Sequence, residues 1–248
     1  MELPPNGQAE RYFEVDGAAG VVGLWAEAAP PGDPQALDRP LFVEELRDVA
    51  GLYLNSAENR LVLCADEKSQ GQAVERTQPL LPRALGCVEG VTQDYRRQGS
   101  TTLFAALEIG NVLTDSRPRH LNPEYVAFLN QIEANVPPTL EVYLVMNNHS
   151  SHKHAKVKAW FARHPRFRAH FVPTYSSWLN QVERWFGLIT QKAIRRGSFS
   201  SVKELVAKID QFVAAYNVAA APFFWAATAD SILAKIEGLC RRNSVTGD

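Results

Sequence analysis

Three side chains along the chain carry oxygen atoms in a setting that could do chemistry: Asp66, Asn147 and Glu183. The run Arg60-Leu-Val-Leu-Cys-Ala-Asp66 reads as a buried strand that ends on an acid. A second apolar strand, Leu140 to Met146, leads straight into Asn147-Asn148. From Trp178 to about Arg195, apolar residues at Leu179, Val182, Trp185, Phe186, Ile189 and Ala193 repeat at helical spacing and place Glu183 on a helix. Taken singly, an Asp at a strand end or an Asn in a turn is an ordinary cap or turn former. Together, two strand-end oxygens and one helical carboxylate can converge at the carboxyl edge of a sheet, where α/β proteins place their sites. Such hard oxygen ligands suit Mg²⁺ or Mn²⁺. Two such ions about 3.5 to 4 Å apart can clamp the attacking and leaving oxygens of a phosphodiester displacement.

The charge pattern fits that chemistry. The net charge of −1 hides a segregation: residues 1–50 hold ten acids against three arginines, whereas residues 149–203 hold eleven Lys or Arg and one acid, Glu183. A lone acid in a basic stretch is a poor solubility device. The basic stretch itself is the electrostatic footprint of a phosphate-binding surface, against the plainer reading of a solvated basic face.

At 248 residues with 46% hydrophobic and 21% charged residues, the composition is that of an ordinary globular protein. The start, Met1-Glu-Leu-Pro-Pro-Asn-Gly, has no basic or apolar signal region, and no apolar run approaches the roughly 20 residues of a membrane span. Cys64, Cys87 and Cys240 are odd in number and form no Cys-x-x-Cys pair, which argues against a disulfide framework and a thiolate zinc site and points to a reducing cytoplasm.

Three regions are expected. Residues 1–40 hold six of the fifteen prolines and five glycines without an apolar period, and read as a loose leader. Residues 41–240 carry the elements, and 241–248 form a tail. After a short helix from Leu41 and the strand to Asp66, Thr101–Ile109 and Val112–Thr114 read as a hairpin joined at Gly110-Asn111. Asn122-Pro123 opens a helix to about residue 136, with Asn122 as its cap. A basic helix at about 154–163 and a strand at 167–172 follow the second apolar strand. Ser201-x-x-Glu204 is a capping box for a helix with a four-turn apolar stripe, and Asp230–Arg241 is a last helix. This order implies an α/β protein built on a mixed sheet flanked by helices.

Several motifs in order resemble one family. Cys64-Ala-Asp66-Glu-Lys-Ser-Gln70, Asp94-Tyr95, Pro118-Arg-His120, Asn148-His-Ser-Ser-His-Lys-His154, Ser177-Trp-Leu-Asn-Gln-Val-Glu-Arg-Trp-Phe186 and Ile194-Arg-Arg-Gly197 look like the bacterial insertion-sequence transposases related to mariner, over about residues 41–240. The resemblance implies a ribonuclease H-like fold and an Asp-Asp-Glu triad that binds two Mg²⁺ or Mn²⁺ ions. It also implies DNA cleavage with strand transfer, a nucleoid-associated bacterial setting, and a homodimer in a synaptic complex. Asp66 and Glu183 match the first and third acids, and the 35 residues between 147 and 183 match the family's spacing. The metal set implied is Asp66, Asn147 and Glu183. Within the basic stretch, Lys153, Lys156, Arg184, Arg195 and Arg196 are the candidate phosphate contacts.

Two departures qualify the expected activity. The family's second acid is Asn147 here, so three carboxylates become two. Impaired cleavage with surviving DNA binding is the expectation, and an inactive DNA-binding remnant is the alternative. Residues 1–40 resemble no helix-turn-helix module, which leaves recognition of terminal repeats in question. Glu67 is expected to point away from Asp66, since adjacent strand residues face opposite sides. His149, His152 and His154, with no Cys or acid close by in sequence, are placed on the basic DNA-facing loop rather than in a zinc cluster. Trp178, Trp185 and Phe186 are assigned to the core.

Overall fold

In the computed structural model, the structure describes residues 41–55, 59–76, 95–108, 111–148, 152–174, 176–195, 197–219 and 227–245. The leader read at 1–40, Asp94, Gly110, His149 and Arg196 lie outside these residues. The described residues divide into two compact units, one from 41–54 with 227–245 and one from 55–219. In the first, α1 (Phe42–Leu54) buries Phe42, Leu46, Val49 and Ala50. The last helix expected from the sequence, Asp230–Arg241, runs from Ala229 to Val245. Arg47 of α1 reaches Asp230 across 3.6 Å, both side chains exposed, a pairing that contributes at most about 1 kcal/mol.

The second unit is built on β1 (Arg60–Arg76), β2 (Tyr95–Leu107), β3 (Val112–Arg117), β4 (Glu141–Met146) and β5 (Phe167–Phe171), in the order β3-β2-β1-β4-β5. β1, β2 and β3 pair antiparallel, while β4 runs parallel to both β1 and β5. The mixed sheet expected from the sequence is therefore present. The parallel strands need crossovers, supplied by α2 (Asn122–Asn135) before β4 and α3 (Ala155–Arg163) before β5.

Alternation along the strands sends residues to two faces. On one, Leu63, Ala65, Phe104, Ala106, Val142, Leu144 and Met146 meet Tyr125, Phe128, Leu129 and Ile132 of α2 with Val157 and Trp160 of α3. The Trp160 indole N–H donates to Asn130 at 2.6 Å, so this large side chain is buried without an orphaned donor. β1 and β2 also pack against α4 (Gln181–Ile189) and α5 (Val202–Val218). Leu179, Val182, Trp185, Phe186 and Ile189 are buried there. Trp185 and Phe186 are thus core residues, as read from their spacing, whereas Trp178 is not among the buried residues.

Several local expectations shift. The helix over 178–195 is three pieces: a 3-10 turn at Ser177–Leu179, α4, and a π-helical turn at Thr190–Ile194. Leu121 caps α2, so Asn122 lies one position inside the helix, with Pro123 still in its first turn. In the hairpin, Leu107 pairs with Val112, so four residues rather than two make the connection. Glu108 N–H donates to Asn111 O at 2.8 Å across it. The capping box at α5 forms with a variation: Ser201 accepts from Glu204 N–H at 3.3 Å, but the Glu204 carboxylate turns back to Ser200 rather than to the cap residue. Among the described residues no helix is long and apolar enough to cross a membrane.

Candidate metal centre

The decisive feature is where β4 stops. Its last pair with β1 is Met146 with Ala65, but β1 continues to Arg76 and does not end on Asp66 as the sequence suggests. Asp66 and Glu67 therefore lie on a stretch of β1 still paired to β2, through Ala105 and Phe104, yet with no strand on the β4 side among the described residues. The chain leaving β4 fills that notch with Asn147. From α4, Glu183 in the first helical turn reaches the same place. The three residues singled out in the sequence are thus brought together.

Their contacts are specific. The Asn147 side-chain amide donates to Asp66 Oδ2, and to Glu183 Oε1 at 3.2 Å. Asp66 Oδ1 accepts from the Glu67 backbone N–H at 2.8 Å. Asn180, fully buried just before α4, donates to Ala65 O at 3.3 Å and lies 3.5 Å from Asn147 Oδ1. Its position turns the Asn147 carbonyl away from the acids and the amide N–H groups toward them. The side-chain oxygen of Asn180 is itself buried with no hydrogen-bond partner among the described residues.

Asp66 is 5% exposed. Burial first, then the Glu67 and Glu183 carboxylates, push its pKa from 3.8 up to about 9. A carboxylate so disfavoured in its charged form, beside two more acids, is a place where a cation lowers the free energy.

Glu67 departs from expectation. It follows Asp66 in the pleat, yet its carboxylate lies beside that of Asp66. Ligand atoms of Asp66, Glu67 and His152 all lie within 4.8 Å of one another. His152 is likewise not on an exposed basic loop; it is 2% exposed. Its Nδ1 is 2.9 Å from Asn147 O and its Nε2 is 3.0 Å from Glu67 Oε2. The ring stacks on Tyr125 with centroids 4.6 Å apart. Tyr125, buried on α2, donates to Met146 Sδ at 2.8 Å. Its phenol pKa is raised well above the ordinary range by burial, and then by the Glu67 and Asp66 charges.

Tyr125 and Asn180 are site residues that the sequence did not single out, and Glu67 and His152 are ones that it placed elsewhere. Two signals pointed to them. Asn180 stands three residues before Glu183 in the Ser177–Phe186 motif, and His152 lies one short loop after Asn147.

The basic residues lie around this centre in sequence. Lys153 follows His152, Lys156 is in the first turn of α3, Arg184 adjoins Glu183, and Arg195 ends the π-helical turn. The Lys153 ammonium stands 5.1 Å from the centre of the Phe171 ring. It borders a groove of about 420 Å³ lined by Lys158, Phe161, Phe167 and Ala169 as well.

The donor chemistry bears on the implied ions. Asp66 and Glu183 are hard oxygen ligands that fit a divalent cation. An amide nitrogen, not an oxygen, is presented between them. These three residues therefore match one cation better than the pair the resemblance implies.

Comparison with known proteins agrees with the fold and the motifs. A stretch of 89 residues, 36% of this chain, is 27% identical to the Shigella sonnei protein described as "Insertion element IS630 uncharacterized 39 kDa protein". That stretch spans only 26% of the relative's length. The crystal structure of the Mos1 strand transfer complex matches with a TM-score of 0.56 at 13% identity, over 98% of this chain and 77% of that one. A pre-cleavage Mos1 transpososome matches at 0.55 and 15% identity, over 90% and 68%. The Mos1 mariner paired end complex with Mn matches at 0.53 and 15% identity, over 82% and 61%. At these identities the structures speak for a shared fold, the ribonuclease H-like sheet expected from the sequence. The family described as "DDE superfamily endonuclease" matches residues 61–206, from β1 into α5 and more than half of the chain, and the chain belongs to that family.

Proposed function

We propose that this chain is the catalytic domain of an insertion-sequence transposase, built for metal-dependent phosphodiester cleavage and strand transfer, and impaired in cleavage by Asn147. The observation that carries this reading is the meeting of Asp66, Asn147 and Glu183 in the notch beyond the end of β4, with the Asn147 amide bridging the two acids. The Mn-bound Mos1 paired end complex supports a divalent ion for the fold.

Asp66 and Glu183 are the residues that would hold such an ion. When bound, it would polarise a phosphodiester and neutralise charge on the departing oxygen. The chain's own residues do the rest. Asp66 and Glu183 supply negative charge, Asn180 fixes the rotation of Asn147, and His152 with Glu67 holds the backbone of the β4–α3 connection. Lys153, Lys156, Arg184 and Arg195 contact DNA phosphates, together with Arg196, which lies outside the described residues.

The Asn147 amide donates where the family has an acid, so it stabilises the two carboxylates without a metal and leaves one negative charge fewer to attract one. Cleavage is therefore weak while DNA binding persists; a strictly inactive DNA-binding remnant is the limiting case. Pairing of two copies around transposon ends is proposed from the paired-end assemblies of Mos1.

The test is a plasmid-nicking assay in Mg²⁺ and in Mn²⁺, comparing the chain with Asn147→Asp. Nicking that rises at least about tenfold with the restored acid is expected, in line with about 1.4 kcal/mol of transition-state stabilisation. Equal nicking by both proteins would sink the role given to Asn147. Absence of nicking in both, with salt-sensitive DNA binding retained, would favour the remnant.

A further inference from the structure

The geometry points to a transition-metal site formed by Asp66, Glu67 and His152. It would hold a divalent first-row transition ion in preference to Mg²⁺, in the chain as it stands.

The argument begins at the His152 ring. Asn147 O is a backbone carbonyl and can only accept, so Nδ1, 2.9 Å away, carries the proton. Nε2 then faces the carboxylate oxygen Glu67 Oε2 across 3.0 Å. Something positive must stand between or beside them.

A proton would suffice for two groups alone. Here a third donor converges, because a carboxylate oxygen of Asp66 belongs to the same cluster, with every ligand atom within 4.8 Å of the others. An imidazole that ligates a metal through one nitrogen almost always donates its other N–H to a carbonyl or carboxylate, which is the contact Nδ1 makes. The spacing also fits: ligands about 2.1 Å from an ion and at right angles to one another are about 3.0 Å apart. His152 is held for this by its stacking on Tyr125 and by near-complete burial.

The donor set decides the class of ion. Two carboxylates and an imidazole nitrogen suit transition ions from Mn²⁺ to Zn²⁺, whereas Mg²⁺ takes oxygen ligands and holds its water. The position does not use Asn147 or Glu183, so it survives the loss of the second acid. It deepens the metal assignment above but does not depend on strand transfer, since metal binding and nicking are read separately.

The experiment is Mn²⁺ titration of the full chain by calorimetry, with pulsed electron paramagnetic resonance on the Mn²⁺-loaded protein. A site with ¹⁴N modulation from a bound imidazole is expected, retained under a roughly hundredfold excess of Mg²⁺. Glu67→Gln and His152→Gln should each weaken Mn²⁺ at least about tenfold, and His152→Gln should erase the ¹⁴N signal. Asp210→Asn, at an exposed acid on α5 outside the cluster, should change the affinity less than about threefold, since it leaves every ligand in place. Glu67→Gln preserves side-chain shape, so it remains informative if His152→Gln fails to fold, and the ¹⁴N signal needs no variant at all. No binding at millimolar Mn²⁺, a bound ion without ¹⁴N modulation, or affinity unchanged by Glu67→Gln would each overturn the site. Failure of Asn147→Asp to nick DNA would leave these readouts untouched.

Discussion

The side-chain amide of Asn147 donates to Asp66 Oδ2 and to Glu183 Oε1, so a neutral residue at the end of β4 ties together a strand-borne and a helix-borne acid. In the reading proposed above, that amide stands in for part of a cation's charge.

Exchanging it for an acid should therefore expose the repulsion it relieves. Asn147→Asp in the presence of EDTA is expected to lose roughly 1–3 kcal/mol, or about 2–4 °C in Tm per kcal/mol for a chain of this size. Millimolar Mn²⁺ should recover that loss, through preferential binding to the folded state. Thermal melts of both proteins with and without metal check this; a variant equally stable in EDTA would contradict the bridging role.

Asp66 makes the metal-free fold pH-sensitive in a defined direction. Its pKa is raised from 3.8 to about 9 on folding, so between those values the folded chain binds a proton that the unfolded chain has released. The stability from this group is full below pH 3.8 and falls as pH rises through about 9. Melts in EDTA across roughly pH 5 to 9 should show declining Tm from this group, and Asp66→Asn should flatten the decline. A profile unchanged by Asp66→Asn would exclude it as the cause.

A clamp far from the site holds β3 to α5. Asn217 on α5 accepts from Val112 N–H at 2.9 Å and donates to Val112 O at 2.9 Å, occupying both backbone groups at the first residue of β3. Asn217→Ala removes that partner from both groups and should cost about 1–3 kcal/mol in urea unfolding. Asn217→Asp, which keeps the acceptor and removes the donor, should fall between. Wild-type stability for the alanine variant would show that water replaces the clamp.

DNA binding should be electrostatic in character. Removing Lys153, Lys156, Arg184 or Arg195 by alanine substitution should weaken duplex binding and lower the slope of log K against log salt by about 0.9 for each phosphate no longer neutralised. Fluorescence anisotropy across about 50 to 200 mM salt reads both. An unchanged slope in all four variants would move the DNA to another face.

The sequence by itself determined the pieces. Unbroken apolar runs at Leu61–Ala65 and Val142–Met146 could bury only as central strands, the helical period around Glu183 fixed its secondary structure, and charge segregation marked the basic half. Those are local properties, written in side-chain type and spacing. What the tertiary structure decided depends on where one strand stops beside another. Period-2 alternation correctly sends Asp66 and Glu67 to different faces, but it cannot tell that β4 ends opposite Ala65 or that the two carboxylates lie beside each other. Likewise, His152 lies 85 residues from Glu67 in the chain, and only the packing of α2 against the sheet, with Tyr125 beneath the ring, brings it there. Asn180, too, turns the Asn147 amide through a contact that no spacing rule encodes.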